Sequence, residues 1–306
     1  MSVCEDFYSS NPRPANYDIL SNKIEDFCQL HKDHKVVLIT SGGTSVPLER
    51  HTVRSLENFS NGTRGSSSAE YFLQSGYAVI FLYRLKSLEP FTRHFSDMNI
   101  LDWLVIDNDP EISQIKVGSE YISTLLPILK KYKEVMSSGR LLSVPYISLS
   151  DYLWLLRAAC KALSPLNGKA LLYLAAAVSD FYIPLDKMPT HKIQSDDGVP
   201  NISLHLVPKI LEPLVHSWIP KAFIVSFKLE TSSSLLSTKA RRALEKYHHK
   251  MVIGNLLQTR KYHVLMVTEN EEYDITLSEE EKFQNVEIES KIIEDLCKKH
   301  DTFLSS

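Results

Sequence analysis

Two glycine clusters carry the clearest chemical signal in the chain. The first, Ser41-Gly42-Gly43-Thr44, follows directly on the apolar run VVLIT at 36–40. The second, Asn58-Phe59-Ser60-Asn61-Gly62-Thr63-Arg64-Gly65, closes a long polar loop. Behind it stand Ser66, Ser67 and Ser68, candidate N-caps for a short helix through Gln74 that Gly76 stops. Glycine lets successive N–H groups converge on an anion with no Cβ in the way, and a helix start adds partial positive charge. The pair therefore suits a phosphate better than two plain turns. Neither GxGxxG nor GxxxxGK[ST] is present, so this is not a standard dinucleotide fingerprint or a P-loop.

Other candidates lie at strand ends. Ala175-Ala176-Ala177-Val178-Ser179-Asp180 runs small residues off an apolar segment into an acid, which favours a ligand role for Asp180 over a turn cap. Asn58 and Asn255 have an equal claim as turn residues, because asparagine tolerates the left-handed region. Lys192 sits in the polar, proline-rich segment 184–200, where lysines are usually only solvated and the chain is expected to be mobile. His248-His249 suits a helix end, and His191, His205 and His216 make no zinc pattern. Asp196-Asp197-Gly198 is most simply a turn. There is no GxSxG elbow, and Cys4, Cys28, Cys160 and Cys297 are scattered without metal or disulfide spacing, so a reducing cytoplasm is the expected location.

The elements that must position these residues follow from periodicity. Residues up to about Asn16 read as a mobile arm, and 19–31 as a helix burying Ile24, Phe27 and Leu30. Strands are expected at 36–40, 77–83, 101–106, 141–147, 170–174, 202–206, 222–227, 251–253 and 263–268, with Pro145 putting its strand near an edge. Helices are expected at 110–136 with Pro110 in the first turn, at 151–163 capped by Ser150, from Pro208, up to Lys246 from a cap at Thr231 or the serines after it, and at 288–299. Strands and helices alternate, which predicts an α/β fold: a mainly parallel sheet with helices on both faces. Ligands of such sheets bind beyond the carboxyl ends of the strands, where SGGT, AAAVSD, FKLE and GN all fall.

At 306 residues the chain can hold one large or two small cores, and 43% hydrophobic with 23% charged residues is ordinary for a globular protein. A formal charge of −3 implies no broad attraction to nucleic acid or anionic membrane, and no apolar run is long enough to span a bilayer.

The segments TSGGTSVPLE, VRSLENFSNGTRG, LAAAVSDFYIP, HKIQS, PKAFIVSFKLET and VIGNLL closely resemble phosphopantothenate–cysteine ligase in its eukaryotic form, in register from about Val36 to the C-terminal helix. The resemblance implies a Rossmann-like single domain over 35–306 with dimerisation elements, preceded by an N-terminal arm and helix over 1–34. It implies that the carboxylate of 4′-phosphopantothenate is activated by ATP as an acyl-adenylate and captured by the amine of L-cysteine, a step of coenzyme A biosynthesis. Bacterial members use CTP. By the same resemblance Gly42, Ser60, Gly62 and Gly65 match nucleotide phosphate and ribose contacts, and Phe227 and Asn255 match contacts near the nucleoside. Asn58, Ala176, Ala177 and Asp180 match the phosphopantothenate site. Arg54 matches an arginine that reaches the neighbouring subunit's site, implying a homodimer. Lys192 matches the lysine of a flap that closes over the reacting phosphate, so Lys192 and Asn58 are the catalytic candidates. Magnesium is expected as the triphosphate's counter-charge, with no ligands that the sequence names. No flavin is expected, because the bacterial flavin-dependent fusion partner is missing. Asn61 replaces the family's usual serine and Gly254 its usual alanine, both mild changes.

The competing enzyme reading is an NAD(P)-binding Rossmann-type oxidoreductase. It lacks GxGxxG, and Tyr247 and Lys250 are too close for a Tyr-x-x-x-Lys pair. A non-catalytic regulatory subunit would be expected to lose Asn58, Asp180 or Lys192, and all three are present.

Overall fold

The computed structural model describes residues 3–108 and 113–306. The chain opens with α1 (Val3–Ser10) and α2 (Tyr17–Leu30) and enters β1 (Val36–Ser41). β2 (Ser45–Pro47) and β3 (Ser55–Glu57) form an antiparallel hairpin, followed by α3 (Thr63–Gln74) and β4 (Ala78–Arg84). A second hairpin, β5 (Leu104–Asn108) with β6 (Ser113–Val117), leads to α4 (Ser119–Ser137), β7 (Leu141–Tyr146), α5 (Leu149–Leu163) and β8 (Ala170–Leu174). The short β9 (Phe181–Tyr182) and β10 (His205–Leu206) pair with each other. Then come α6 (Leu211–Pro213), β11 (Phe223–Glu230), α7 (Ser233–Tyr247), β12 (Met251–Leu256), β13 (His263–Val267), β14 (Glu272–Thr276), α8 (Glu279–Phe283) and α9 (Ile288–Ser305).

Eight strands make the main sheet in the order β14-β13-β12-β11-β8-β1-β4-β7. From β12 to β7 all neighbours run parallel, and only β13 and β14 are antiparallel. The mainly parallel α/β sheet expected from the alternation is therefore present. Its strands read as unbroken apolar runs because both faces are covered. Val36 and Leu38 enter one core with α2 and α5, and Val37 and Ile39 enter the other with α3 and α9. All four are fully buried, each contributing roughly 1.5–3 kcal/mol of transfer free energy.

Pairing register sets Val144, Leu82, Thr40, Leu174, Ser226 and Val252 in one row across six strands. SGGT, AAAVSD, FKLE and GN all extend beyond that row on the same edge. The edge position of β7, with Pro145 in it, is as expected.

Several local expectations are corrected. The N-terminal residues are not a loose arm: α1 buries Phe7 and Tyr8, the Tyr8 hydroxyl donates to the Leu153 carbonyl at 3.0 Å, and the Trp154 indole donates to the Asn11 carbonyl at 3.1 Å. Leu30 is 69% exposed, because α2 turns Leu20, Ile24, Phe27 and Cys28 inward instead. α5 is capped by Ser148, not Ser150, through a reciprocal capping box with Asp151. α3 starts before the serines expected to cap it, so Ser66, Ser67 and Ser68 are buried within the helix. The strand expected at 101–106 begins at Leu104 and belongs to the separate β5–β6 hairpin. The helix expected from Pro110 begins at Ser119, and Pro110 itself lies outside the described residues. β14 was not expected, and of the 202–206 strand only His205–Leu206 forms.

Candidate active site

The site grows from the end of β1. Gly42 turns the chain at φ +82°, and a Cβ there would sit 2.6 Å from the Arg84 Cβ, so glycine is required for both conformation and space. The turn is laced to the end of β8: the Ala177 amide donates to the Gly42 carbonyl at 2.8 Å, and the Thr44 amide donates to the Ala177 carbonyl at 3.0 Å. Two threonine hydroxyls extend this lacing. Thr40 Oγ1 accepts from the Ala176 amide at 3.1 Å and Thr44 Oγ1 from the Ser179 amide at 3.0 Å. The Asn58 amide donates to the Thr44 carbonyl at 3.1 Å, and Gly43 passes so close to the Asn58 carbonyl that a Cβ would overlap it. Asn58, Gly42, Ala176 and Ala177 are thus held together by backbone and threonine-hydroxyl bonds, although they come from three distant parts of the sequence.

α3 arrives over the same spot. Gly62 stands at its start with φ +81° and no side-chain cap, leaving the first-turn N–H groups without intrahelical partners. Ser41 Oγ donates to the Gly62 carbonyl at 3.1 Å, and a Cβ on Gly65 would run into the Ser41 side chain. Ser60 Oγ accepts from the Gly62 amide at 3.4 Å. The two glycine clusters therefore meet at one point.

Two openings flank it. A cleft of about 490 Å³ lies on the β4 side, between Gly43 with residues 57–61 and the turn at 84–88. A second, of about 330 Å³, lies on the β8–β11 side and includes Ala176, Asp180, Lys209, Ser226 and Phe227. The Phe227 ring packs edge-on against Tyr173 at 4.9 Å between centroids. Asn255 is buried, and its Oδ1 accepts from Arg64 Nη2 at 3.2 Å. Arg64 also pairs with Glu289 at 2.8 Å, whose carboxyl burial pushes up against the opposing pull of that guanidinium. Asp180 lies on the surface, 3.1 Å from Lys209 Nζ.

Arg54 and Lys192 stand apart from both clefts. Arg54 Nη1 donates to Glu49 Oε1 at 2.9 Å and to the Ile193 carbonyl at 3.1 Å. Burial pushes the Glu49 carboxyl up, but the Arg54, Val53 and Ile193 amides and the Arg54 guanidinium together hold it below the usual carboxylate range. The segment carrying Lys192 is fastened to this tip: the Arg50 and His51 amides donate to the Pro189 and Thr190 carbonyls at 2.8 and 3.1 Å. It has no strand or long helix, yet it is pinned on one side, unlike the free segment expected. The Lys192 side chain is exposed, with no hydrogen bond or ion pair among the described residues.

Sequence reasoning missed several residues at this edge. Lys209, Ser226 and the turn at 84–88 reach the clefts only through strand order, and His249 stands behind them through its 2.7 Å hydrogen bond to Ser226. Thr40 and Thr44 could have been found, since hydroxyl residues flanking a glycine turn are apt to bond neighbouring backbone. Among the described residues no group of three or more His, Cys, Asp or Glu side chains fits a metal ion, and no helix is long and apolar enough to cross a membrane.

A mainly parallel sheet whose central strand ends in a glycine turn under a helix start defines the class: an open α/β protein, of the kind whose ligands bind beyond the carboxyl edge. Comparison with known proteins sharpens this. Residues 157–298 match the DNA/pantothenate metabolism flavoprotein C-terminal domain. The chain is 44% identical to phosphopantothenate–cysteine ligase of Mus musculus over 98% of its own length and 97% of the relative's. It is 47% identical to the Homo sapiens enzyme over 88% of each chain. A solved structure of a Cab2 mutant in complex with phosphopantothenate-cysteine superposes with a TM-score of 0.89 at 42% identity, covering 98% of both chains. The chain belongs to the phosphopantothenate–cysteine ligase family.

Proposed function

We propose that this chain joins the carboxylate of 4′-phosphopantothenate to the amine of L-cysteine in coenzyme A biosynthesis, converting ATP to AMP and pyrophosphate. A carboxylate does not condense with an amine in neutral water, because oxide would have to leave. In the proposed route a carboxylate oxygen attacks the nucleotide α-phosphorus, and the bond to pyrophosphate breaks with its electron pair leaving on oxygen. The cysteine nitrogen then attacks the acyl carbon, AMP departs, and the amine loses a proton. No protein nucleophile is needed, only alignment and neutralised charge.

The observation that carries the reading is the backbone lacing of Gly42, Ala177, Thr44 and Asn58. It holds the Asn58 backbone against the glycine turn, which supports a reading in which the turn binds an anion and the Asn58 side-chain amide donates to a carboxylate or acyl oxygen, where an acid would repel it. Gly42, Ser60, Gly62 and Gly65 are assigned to the nucleotide phosphates and ribose, and Phe227 and Asn255 to the nucleoside. Asn58, Ala176, Ala177 and Asp180 are assigned to phosphopantothenate. Arg54 and Lys192 lie together outside both clefts of one chain, which favours their working across a homodimer and through movement of the 184–200 segment. Magnesium is assigned to the nucleotide's own phosphates, with no protein ligand and no step of its own. The free thiols of Cys4, Cys28, Cys160 and Cys297 favour a cytoplasmic setting.

Release of pyrophosphate from ATP, measured with each reactant omitted in turn, tests the reading. It should require phosphopantothenate, and AMP with the amide product should appear only when cysteine is added. Formation of ADP, or tight NADPH binding with no ligase turnover, would overturn it in favour of another chemistry.

A further inference from the structure

The ligase reading uses Asn58 and Ser60 on one wall of the cleft on the β4 side and gives the opposite wall, the turn at 84–88, no role. We infer that the turn leaving β4 is the pyrophosphate end of the nucleotide site, with Lys86 as its cation and Ser87 as its hydroxyl donor. This rests on the proposed use of ATP and adds two residues to it.

Strand order supplies the direction. Phe227 on β11 and Asn255 on β12 mark the nucleoside end, and the glycines of β1 and of the α3 start mark the middle. A ligand continuing along the same edge next meets β4. Neighbouring strands are about 4.8 Å apart, so β11 to β4 is roughly 14 Å, within the reach of an extended nucleoside triphosphate. The cleft of about 490 Å³ opens at that place, walled by residues 57–61 and 84–88.

The turn is built as a fixed donor platform. The Ser87 amide donates to the Arg84 carbonyl at 2.9 Å, closing a four-residue turn with Lys86 at its third position and φ +73°. That position ordinarily selects glycine or asparagine. A lysine held there against local preference is the kind of strain that marks functional sites. Both sides of the turn are tied down. The Leu85 amide donates to the Tyr146 carbonyl at 2.8 Å, and the Leu88 amide to the Asn61 carbonyl of the glycine-rich loop at 2.9 Å. Beyond it, buried Glu70 accepts from the Phe91 amide at 2.9 Å and from Arg93 Nε at 2.6 Å.

The chemistry of the wall fits a polyanion. Arg84 is already engaged by Glu57 at 3.0 Å. Lys86 is exposed and makes no ion pair among the described residues. Ser87 Oγ is buried with no hydrogen-bond partner, an unsatisfied donor whose cost a ligand acceptor would relieve. It lies between the two left-handed glycines, 3.0 Å from where a Cβ on Gly42 would be and 3.1 Å from one on Gly62. When the α-phosphorus–oxygen bond breaks, the electron pair collects on the departing pyrophosphate. An ammonium and a hydroxyl at that end stabilise it as it forms.

Binding of inorganic pyrophosphate and, separately, of AMP to the full chain by calorimetry tests this, with Lys86→Gly and Ser87→Ala as variants and a thermal melt of each. Lys86→Gly should bind pyrophosphate at least about tenfold more weakly and AMP as wild type does, because only the distal charge is lost. Its melting temperature should hold or rise, since glycine suits the turn. Ser87→Ala should weaken pyrophosphate about threefold or more. Unchanged pyrophosphate binding in both variants, or an equal loss for AMP, would overturn the assignment, as would wild-type protein that binds no pyrophosphate. Wild-type protein that binds pyrophosphate yet makes no AMP from its reactants would instead overturn the ligase reading and leave this site standing.

Discussion

Replacing His249 with glutamine should flatten the acid side of the stability curve. His249 is 5% exposed behind the carboxyl edge, with Nε2 2.7 Å from Ser226 Oγ and Nδ1 buried without a partner. Burial pulls its imidazole down to about 4. An unfolded histidine titrates near 6.5, so the difference of about 2.5 units corresponds to roughly 3 kcal/mol. The sign follows from proton uptake. Between pH 6.5 and 4 the unfolded chain holds a proton on this ring and the folded chain does not, so stability falls as pH drops through that window and levels off below it. Glu70 and Glu287, whose carboxyls lie below the usual range through Arg93 and His94 contacts that outweigh burial, lose their contribution at still lower pH. His249→Gln keeps a hydrogen-bonding group toward Ser226 and removes the proton. Unfolding free energies from urea titrations at intervals from pH 7.5 to 4 should fall by about 3 kcal/mol more for wild type than for the variant, with equal slopes in urea. Two curves that stay parallel throughout would refute the reasoning.

Three further outcomes follow from the site. Lys192→Ala should leave ATP binding nearly intact and slow turnover a hundredfold or more, about 3 kcal/mol of lost charge stabilisation; wild-type rates under single-turnover conditions would remove the 184–200 segment from the mechanism. Arg54→Ala subunits mixed with Asp180→Ala subunits should recover about a quarter of wild-type activity, because half of a random mixture is heterodimer and one of its two sites is intact. No recovery in a freely exchanging mixture would place Arg54 in its own subunit's structure, where it already neutralises Glu49. Gly43→Ala should drive the Asn58 backbone from its place and cut kcat/KM on the order of a hundredfold; a variant with unchanged kinetics would show that Asn58 is not positioned by this contact.

The parts of the molecule legible in the sequence are those with a local cause. VVLITS, ALLYL and AFIVSF are apolar without alternation because both sheet faces are covered, and each is found as a buried strand. Glycines at 42 and 62 mark backbone that no other residue accommodates easily. β14 was hidden because its Glu272 and Thr276 ends are exposed and polar, and its pairing with β13 depends on distant register. The Ser148–Asp151 capping box was legible from its three-residue spacing, yet the serine nearer the apolar run drew the assignment. Lys86, Ser87 and Lys209 could not be read at all, and His249 was read only as one of a histidine pair at a helix end. Each acquires its place only when β4, β8 and β11 are set side by side, which no local pattern encodes. The same holds for the pinning of the 184–200 segment by residues 50, 51 and 54.

Oxygen transfer tests the central claim most directly. Phosphopantothenate labelled with 18O in its carboxylate, turned over with ATP and cysteine, should deliver one labelled oxygen to AMP, because the carboxylate oxygen that attacks phosphorus stays with it when the amine displaces the nucleotide. Label recovered in inorganic phosphate alongside ADP, or AMP formed with no label, would contradict activation at the α-phosphorus.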